Sequence, residues 1–483
     1  MAVVLIIVPL LGAALAAVIR ANRWRPWVLP PIALVHLVLT ILVLSRPDQP
    51  VAGQWLELDQ WLALDPPGRL VLLLLSVLFL ICSFYSIGYL YYRMELSNRI
   101  FCVGQLFFLA ATTLVVCSRH LGLMWVAMEA TTLATAPLIY FNRTPRSIEA
   151  TWKYLLVGSV GIALALLGSF FLAYAAVQKG VDPSLLFDSL LRNAPLLSKP
   201  WLHAAFVLLL VGYGTKMGLA PMHTWKPDAY GEAPGAVAML LAGGVTSCAF
   251  LALLRVNQIC LAAGEGAYTG RLLVFMGILS MAFAAVFMVG QRDFKRMLAY
   301  SSVEHMGILV LGIGIGGPAI FGALLHMINN GLTKGVLFLS AGNIHRSFGG
   351  KTVDEVQGAM RRLPISGTLF LLGFLAVTGS PPFGPFISEF TILRGAFGFG
   401  RYVVGGVFLF LLLVIFIGMG RTVLTVVQGR PAPGARRTAY REGWLTCLPI
   451  IVAFALVLLL GLYIPPPLDN MLKSAARFLE VRP

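Results

Sequence analysis

Four ionisable residues lie within apolar stretches of this chain and are the first candidates for chemistry. Glu129 lies in LMWVAMEATTLATAPLIY, Lys216 in LLLVGYGTKMGLAPMHTW, Lys334 in HMINNGLTKGVLFLSAG and Glu389 in TGSPPFGPFISEF. A charge at the centre of a lipid bilayer costs about 2.5–3.5 kcal/mol on insertion scales. Charges retained in such segments are therefore functional candidates.

The spacing of polar residues around Lys334 adds a second indication. His326, Asn330 and Lys334 follow one another at intervals of four, so they share one face of a helix. Glu304 and His305 form another polar pair in SSVEHMGIL. Titratable groups arranged in this way can hold a file of water, which predicts a relay for protons.

His223 and Asp228 lie at the cytoplasmic end of a predicted helix break and are candidates for proton uptake or relay. Pro221 follows Lys216 by five residues, and proline removes a backbone donor and kinks a helix. A purely structural role is the alternative: His223 would cap a helix at the membrane interface, and Asp228 and Glu304 would be residues at loop ends.

A buried lysine near a carboxylate suits proton transfer. The carboxylate favours the charged lysine, whereas desolvation without it favours the neutral form. Arginine would stay charged in both situations. Moving Glu129 toward or away from Lys216 would therefore make the lysine hold or release a proton. Each buried charge could instead belong to a structural ion pair.

The composition predicts a polytopic helical membrane protein. Of 483 residues, 58% are hydrophobic and 12% are charged, against about a quarter charged in soluble domains. Apolar runs of about 20 residues recur, and the short alternating segments of a β-barrel do not. The first segment lacks a basic start and is predicted to remain as a membrane helix. The net charge of +16 is attributed to cytoplasmic loops rather than to nucleic-acid binding.

Hydropathy predicts fourteen membrane helices, with lysine and arginine concentrated in the connections after odd-numbered helices. This bias places those connections, including Lys226, in the cytoplasm and both termini outside. The second connection, QPVAGQWLELDQWLALDPP, is acidic, which fits an outer position. The predicted spans are 2–19, 27–45, 70–92, 100–118, 121–141, 153–177, 202–220, 234–255, 271–290, 297–315, 318–342, 365–396, 402–422 and 443–463.

Helices 7 and 12 are predicted to be broken, the first near Pro221 and the second at Pro381, Pro382 and Pro385. Breaks at matching places in two halves indicate inverted repeats with an ion site between them. Helices 4–8 and 9–13 would form two five-helix repeats of opposite orientation. The predicted divisions are helices 1–3 (1–95), the first repeat (96–260), the second repeat (261–428), and a basic cytoplasmic loop, helix 14 and tail (429–483).

Other chemistry is not predicted. Gly312, Gly314 and Gly317 match G-x-G-x-x-G, but a dinucleotide site needs that pattern between a strand and a helix. The six cysteines show no zinc or iron–sulfur spacing. We expect no catalytic residue, metal ligand, cofactor or redox centre in this chain.

Several stretches resemble the antiporter-like subunits of respiratory complex I, and more closely the hydrogenase-4 component F branch of membrane-bound hydrogenases. They are GLMWVAMEATTLATAPLIY, RSIEATWKYL, TKMGLAPMHTWKPDAYGEAP, DFKRMLAYSSVEHMGIL, HMINNGLTKGVLFLSAGNI and GSPPFGPFISEF. The resemblance covers roughly residues 70 to 430. It implies fourteen helices, the two inverted repeats, and proton translocation driven by a partner redox module.

The resemblance also implies residue roles. Glu129 matches the glutamate of helix 5, Lys216 the lysine of helix 7, Lys334 with His326 the group of helix 11, and Glu389 the terminal residue of helix 12.

Two positions depart from the family pattern. Ser247 stands where many members have a lysine or histidine in helix 8, and Asn330 stands where some have a second histidine. The central relay would then depend on water or on Lys334 alone.

The sequence therefore predicts a proton-translocating membrane subunit of a hydrogenase or NADH-quinone oxidoreductase complex. Expected partners are other membrane subunits, a peripheral hydrogenase or dehydrogenase module, the bilayer, and protons or Na+. The expected location is the cytoplasmic (inner) membrane of a bacterium or archaeon. The main alternative is a subunit of a multi-subunit cation/proton antiporter without a redox partner. A membrane enzyme, a scaffold subunit, or coupling to a non-redox partner such as a carbon-uptake module also stays open.

Overall fold

Helices make up nearly all of the regular structure in the computed structural model, which describes residues 1–45, 58–430 and 438–480. The helices of eight or more residues are α1 (Ala2–Val18), α2 (Leu29–Leu44), α3 (Pro66–Tyr91), α4 (Arg99–Cys117), α5 (Leu121–Ile139), α6 (Pro145–Val177), α7a (Lys199–Met217), α7b (Trp225–Glu232), α8 (Gly235–Ala262, with a π-helical turn at Leu241–Val245), α9 (Gly266–Met288), α10 (Phe294–Ile315), α11 (Pro318–Phe348), α12a (Pro364–Val377), α12b (Gly384–Gly398), α13 (Tyr402–Gln428), α14 (Trp444–Leu462) and α15 (Pro466–Glu480). Within the described residues, β-structure is limited to isolated bridges.

The predicted fold class, an all-α polytopic membrane protein, is confirmed. Ten helices of the described chain are long and apolar enough to cross a membrane, and α1 and α12a are shorter apolar helices. Every predicted span coincides with a helix or with the two halves of a broken one. The count of fourteen crossings and the inverted repeats stay predictions.

Some sequence predictions need correction or fall outside the described residues. Helix α15 follows the last predicted span and was not predicted. The apolar face of α15, which includes the buried Leu472 and Leu479, packs against α3 and α11. Most of the acidic second connection and part of the basic loop before α14 lie outside the described residues.

The break in helix 7 follows from a glycine and a proline. Helix α7a ends at Gly218, whose φ of 82° lies in the left-handed region that glycine adopts without strain. Its N–H bonds back to the Gly214 carbonyl at 2.7 Å, and Pro221 follows, so the chain runs as turns until α7b begins at Trp225. The predicted break is therefore present, and it places Lys216 in the last turn of α7a.

The break in helix 12 has the same origin. Helix α12a ends at Val377, and the left-handed Gly379 and then Pro381 and Pro382 interrupt it. Pro385 lies in the first turn of α12b, where its missing N–H would have had no partner. Glu389 then lies in the second turn of α12b.

Helices α8, α10 and α11 form the interior of the molecule. The apolar windows of α8 and α10 are completely buried, and almost every residue of α11 is buried. Peripheral helices such as α1 and α13 leave many large apolar side chains exposed, which is what contact with lipid requires. The candidate residues on α10 and α11 are therefore held by the most enclosed part of the fold.

A buried ion cluster joins α3, α4 and α8. Asp65 precedes α3, and its two oxygens accept hydrogen bonds from Arg255 of α8 at 2.8 and 3.1 Å. Arg119 donates to the same carboxylate at 3.0 Å. Arg255 also donates to the Val116 carbonyl, at the end of α4, at 2.7 Å. Both members of the Asp65–Arg255 pair are almost fully buried, so this cluster joins the start of α3 and the end of α4 to α8.

Candidate functional site

Glu129 and Lys216 form an ion pair between α5 and α7a. Lys216 Nζ lies 3.6 Å from Glu129 Oε2; the lysine is fully buried, and the glutamate side chain is 24% exposed. The Thr132 hydroxyl donates to the same Oε2 at 3.0 Å and accepts a hydrogen bond from Lys216 Nζ. Ser159 of α6 donates to Oε1 at 3.0 Å. A hydroxyl thus bridges the acid and the base, which provides a short route for a proton.

We expect Thr132→Val to slow proton translocation about tenfold. The change keeps the shape of the side chain but removes the hydroxyl between Glu129 and Lys216. One hydrogen bond to a charged group contributes about 1.5 kcal/mol, close to a factor of ten in rate. Thr131→Val is the matched control, because among the described residues the Thr131 hydroxyl bonds to a carbonyl of its own helix and to no charged group. The measurement is the initial rate of acidification in membrane vesicles, and equal rates for the two variants would contradict the bridging role.

Lys334 lies in a second buried cluster, between α10 and α11. Its Nζ donates to the Ser301 hydroxyl at 2.7 Å, and Ser301 donates to Glu304 Oε2 at 3.4 Å. All three side chains are buried. Glu304 is therefore an interior residue near Lys334, and the alternative that it ends a loop is wrong.

His305, His326 and Glu389 meet at the contact of α10, α11 and α12b. His305 Nδ1 and His326 Nε2 are hydrogen-bonded at 2.9 Å, and His326 Nδ1 bonds to the Ser388 hydroxyl at 2.9 Å. Ligand atoms of the two histidines and Glu389 lie within 4.8 Å of one another. Such a group could hold a metal ion, which the sequence did not predict. The two imidazoles are hydrogen-bonded to each other, so a proton lies between their nitrogens. A nitrogen that binds a metal ion cannot share that proton, and the geometry therefore favours a hydrogen-bonded pair over a metal site.

Four predicted relay residues are not joined to these clusters by hydrogen bonds within the described chain. Ser247 donates to the Gly243 carbonyl of its own helix at 2.6 Å. The Asn330 oxygen is buried without a partner among the described residues. His223 packs against the aromatic ring of Phe283. The fourth residue, Asp228, has charged partners of its own.

Asp228 lies in a charged network at one end of α7b. It forms ion pairs with Lys153 and with Arg296, each at 2.9 Å. Lys153 also pairs with Glu149 at 2.6 Å, the surface pair expected for an i,i+4 spacing. This environment agrees with the alternative of a residue at a helix end, although the uptake role stays a prediction.

Sequence reasoning missed Lys226, which it assigned to a cytoplasmic connection. The structure buries this residue completely in the interior. Its Nζ donates to the Met217 carbonyl at 2.7 Å. The signal available in the sequence was its position directly after the helix break, between Trp225 and Pro227, where a folded-back segment returns to the core.

Comparisons with known proteins agree on one family. Residues 118–418 match the family model described as NADH:quinone oxidoreductase/Mrp antiporter, transmembrane. The chain is 32% identical over 480 residues to the hydrogenase-4 component F homolog of Methylacidiphilum infernorum, covering 96% of this chain and 97% of that protein. It is 24% identical to a Na(+)/H(+) antiporter subunit of Alkalihalophilus pseudofirmus, covering 98% and 96%.

A solved structure shows the same fold. The chain superposes on a subunit of the membrane-bound sulfane sulfur reductase, an archaeal respiratory membrane complex, with a TM-score of 0.87 and 22% identity, covering 99% of this chain and 97% of that one.

Proposed function

Because this chain belongs to the NADH:quinone oxidoreductase/Mrp antiporter family of transmembrane subunits, we propose that it translocates protons as an antiporter-like subunit of a redox complex. The complex is of the membrane-bound hydrogenase or NADH-quinone oxidoreductase type. The observation that carries this proposal is the Glu129–Lys216 ion pair, in which a fully buried lysine lies beside a broken helix and Thr132 bridges the two side chains.

The cycle begins at that pair. A redox event in a partner protein changes the electrostatic potential near Glu129, which retains some exposure and can move. When the carboxylate moves away from Lys216, the buried ammonium loses its counter-charge, and its neutral form becomes favoured. Lys216 then releases its proton toward the interior of the subunit.

The proton next reaches the cluster of Lys334 and continues to the far end. The Ser301 hydroxyl and Glu304 lie beside Lys334, and the hydrogen-bonded imidazoles of His305 and His326 can exchange a proton with each other. Glu389, buried in the same cluster, is the terminal group that exchanges with one side of the membrane.

The family supports a proposal for the partners and the location of the chain. The chain is an integral membrane protein, and its relatives belong to complexes with other membrane subunits. We propose in addition that a peripheral hydrogenase or dehydrogenase module drives it, that it lies in the cytoplasmic (inner) membrane of a bacterium or archaeon, and that both termini face outward. The main alternative, a cation/proton antiporter without a redox module, is supported by the resemblance to the Na(+)/H(+) antiporter protein of Alkalihalophilus pseudofirmus.

Inverted membrane vesicles from cells with and without the chain distinguish these two functions. With hydrogen or NADH as the electron donor, we expect donor-driven proton uptake that is lost when the chain is deleted and restored by the intact chain. Quenching of a pH-sensitive dye measures the uptake. Proton flux that responds to a Na+ pulse without a donor, and disappears with the chain, would instead establish the antiporter function.

A further inference from the structure

The proposed route leaves a gap between Lys216 and Lys334, because helix α8 offers no charged side chain there. Ser247 bonds to its own helix, so it does not fill the gap. A different lysine contacts the main chain of both α7a and α10. Lys226 belongs to α7b, the short helix that follows the break, and its side chain is fully buried.

The contacts of Lys226 reach toward both clusters. Its Nζ donates to the carbonyl of Met217, the neighbour of Lys216 in α7a, at 2.7 Å. The same Nζ lies 3.4 Å from the carbonyl of Ser302 in α10. The residue before Ser302 is Ser301, whose hydroxyl accepts the hydrogen bond from Lys334. The Cα atoms of consecutive residues are about 3.8 Å apart, so Lys226 contacts the main chain beside Lys216 in α7a and beside Ser301 in α10.

Gly218 makes room for this side chain. A Cβ atom at position 218 would lie 2.5–2.8 Å from Cδ, Cε and Nζ of Lys226, and the residue also has a φ of 82°. Any other amino acid would both strain the backbone and displace the lysine. The residue that ends α7a therefore also allows Lys226 to fold back against the break.

Lys226 forms no ion pair with the residues that the structure describes. No carboxylate oxygen among them lies within 4 Å of its Nζ, in contrast to Lys153 and Lys351, which are ion-paired. Its partners are carbonyl oxygens, which accept a hydrogen bond from an ammonium and from a neutral amine alike. The site can therefore hold the lysine with or without its extra proton.

We propose that Lys226 is the central proton carrier between Lys216 and Lys334, in place of a charged residue on α8. In each cycle, the neutral Nζ of Lys226 accepts one proton from the side of Lys216. The resulting ammonium then gives one proton to the side of Lys334, and no group is oxidised or reduced. Like charges in a low-dielectric interior disfavour each other, so Lys226 and Lys334 hold the proton in turn. This inference rests on the proposed function.

The alternative is that Lys226 only ties the break to α10 through its hydrogen bonds. Lys226→Met and Lys226→Arg separate the two roles. Methionine keeps the length of the side chain without a proton, and arginine keeps the charge and the donors but does not release its proton. Both variants are placed in the full chain within its complex, and Lys199→Met serves as the control because Lys199 is an exposed lysine on α7a.

We expect both Lys226 variants to lose at least about tenfold in donor-driven proton uptake, measured per assembled complex. The thermal midpoint of the purified complex with Lys226→Arg should stay at the unmodified value, and Lys199→Met should pump normally. Uptake at the unmodified rate in either Lys226 variant overturns the proposal. The proposal is also overturned if the loss of proton uptake is fully explained by a smaller amount of assembled complex.

The proposed function is tested separately by the unmodified chain. If the chain drives no donor-dependent proton uptake at all, the proposed function fails, and with it the role of Lys226. If the unmodified chain pumps and the Lys226 variants pump equally well, only the role of Lys226 fails.

Discussion

Lys216→Met is expected to reduce donor-driven proton uptake by about a hundredfold, the scale typical for the loss of a group that transfers a proton. The lysine is fully buried and forms the ion pair with Glu129 at 3.6 Å. Methionine fills the same volume, so the fold should assemble while the proton carrier is absent. The measurement is the initial rate of dye quenching in inverted vesicles, normalised to the amount of complex.

Two further variants show whether the loss comes from the ion pair. Glu129→Gln keeps a side-chain oxygen for the hydroxyl groups of Thr132 and Ser159 but removes the charge, and we expect a loss similar to that of Lys216→Met. Lys199→Met makes the same substitution on the same helix, at an exposed lysine that pairs with Glu265 outside the proposed proton route. Normal pumping by Lys216→Met would rule out the proposed proton route through this pair.

Arg255→Met is expected to lower the free energy of unfolding by about 3–5 kcal/mol, because it leaves the buried Asp65 carboxylate without its main partner. The two ionic hydrogen bonds between these side chains, at 2.8 and 3.1 Å, join α8 to the start of α3. The thermal midpoint of the purified protein in detergent measures the effect. Arg292→Met, which removes an exposed ion pair with Asp354, should leave the midpoint unchanged.

The double change Asp65→Leu with Arg255→Met tests the cause. Apolar residues often replace a whole buried ion pair at little loss, so the double variant should be more stable than Arg255→Met alone. If it is less stable, an unpaired carboxylate is not what destabilises the single variant.

The same carboxylate makes stability depend on pH. Burial would raise the pKa of Asp65, but the charges of Arg255 and Arg119 outweigh burial and lower it. A lowered pKa in the folded state means that the stabilisation is fully present above the pKa of the unfolded chain, near 3.9. It is lost as the pH falls through the folded value, so Asp65→Asn should remove this acid-dependent part of the unfolding curve.

The sequence identified Glu129, Lys216, Lys334 and Glu389 because a charge inside an apolar stretch is a local feature. It could not identify Lys226 or Arg255 in the same way. Lys226 is surrounded by polar and proline residues typical of a connection, and only the return of α7b into the core buries it. Arg255 is the last residue of the predicted span 234–255, where an arginine usually reaches water, and its partner Asp65 is 190 residues away.

The membrane fold, the helix breaks and the family could be predicted from the sequence, because hydropathy, proline and glycine act over a few residues of chain. Which side chains meet could be seen only in the folded chain. It placed Thr132 between Glu129 and Lys216, paired His305 with His326, left Ser247 bonded to its own helix, and turned Lys226 inward. These contacts join helices that are far apart in the chain. Their geometry depends on how buried surfaces pack, and no local pattern contains that information.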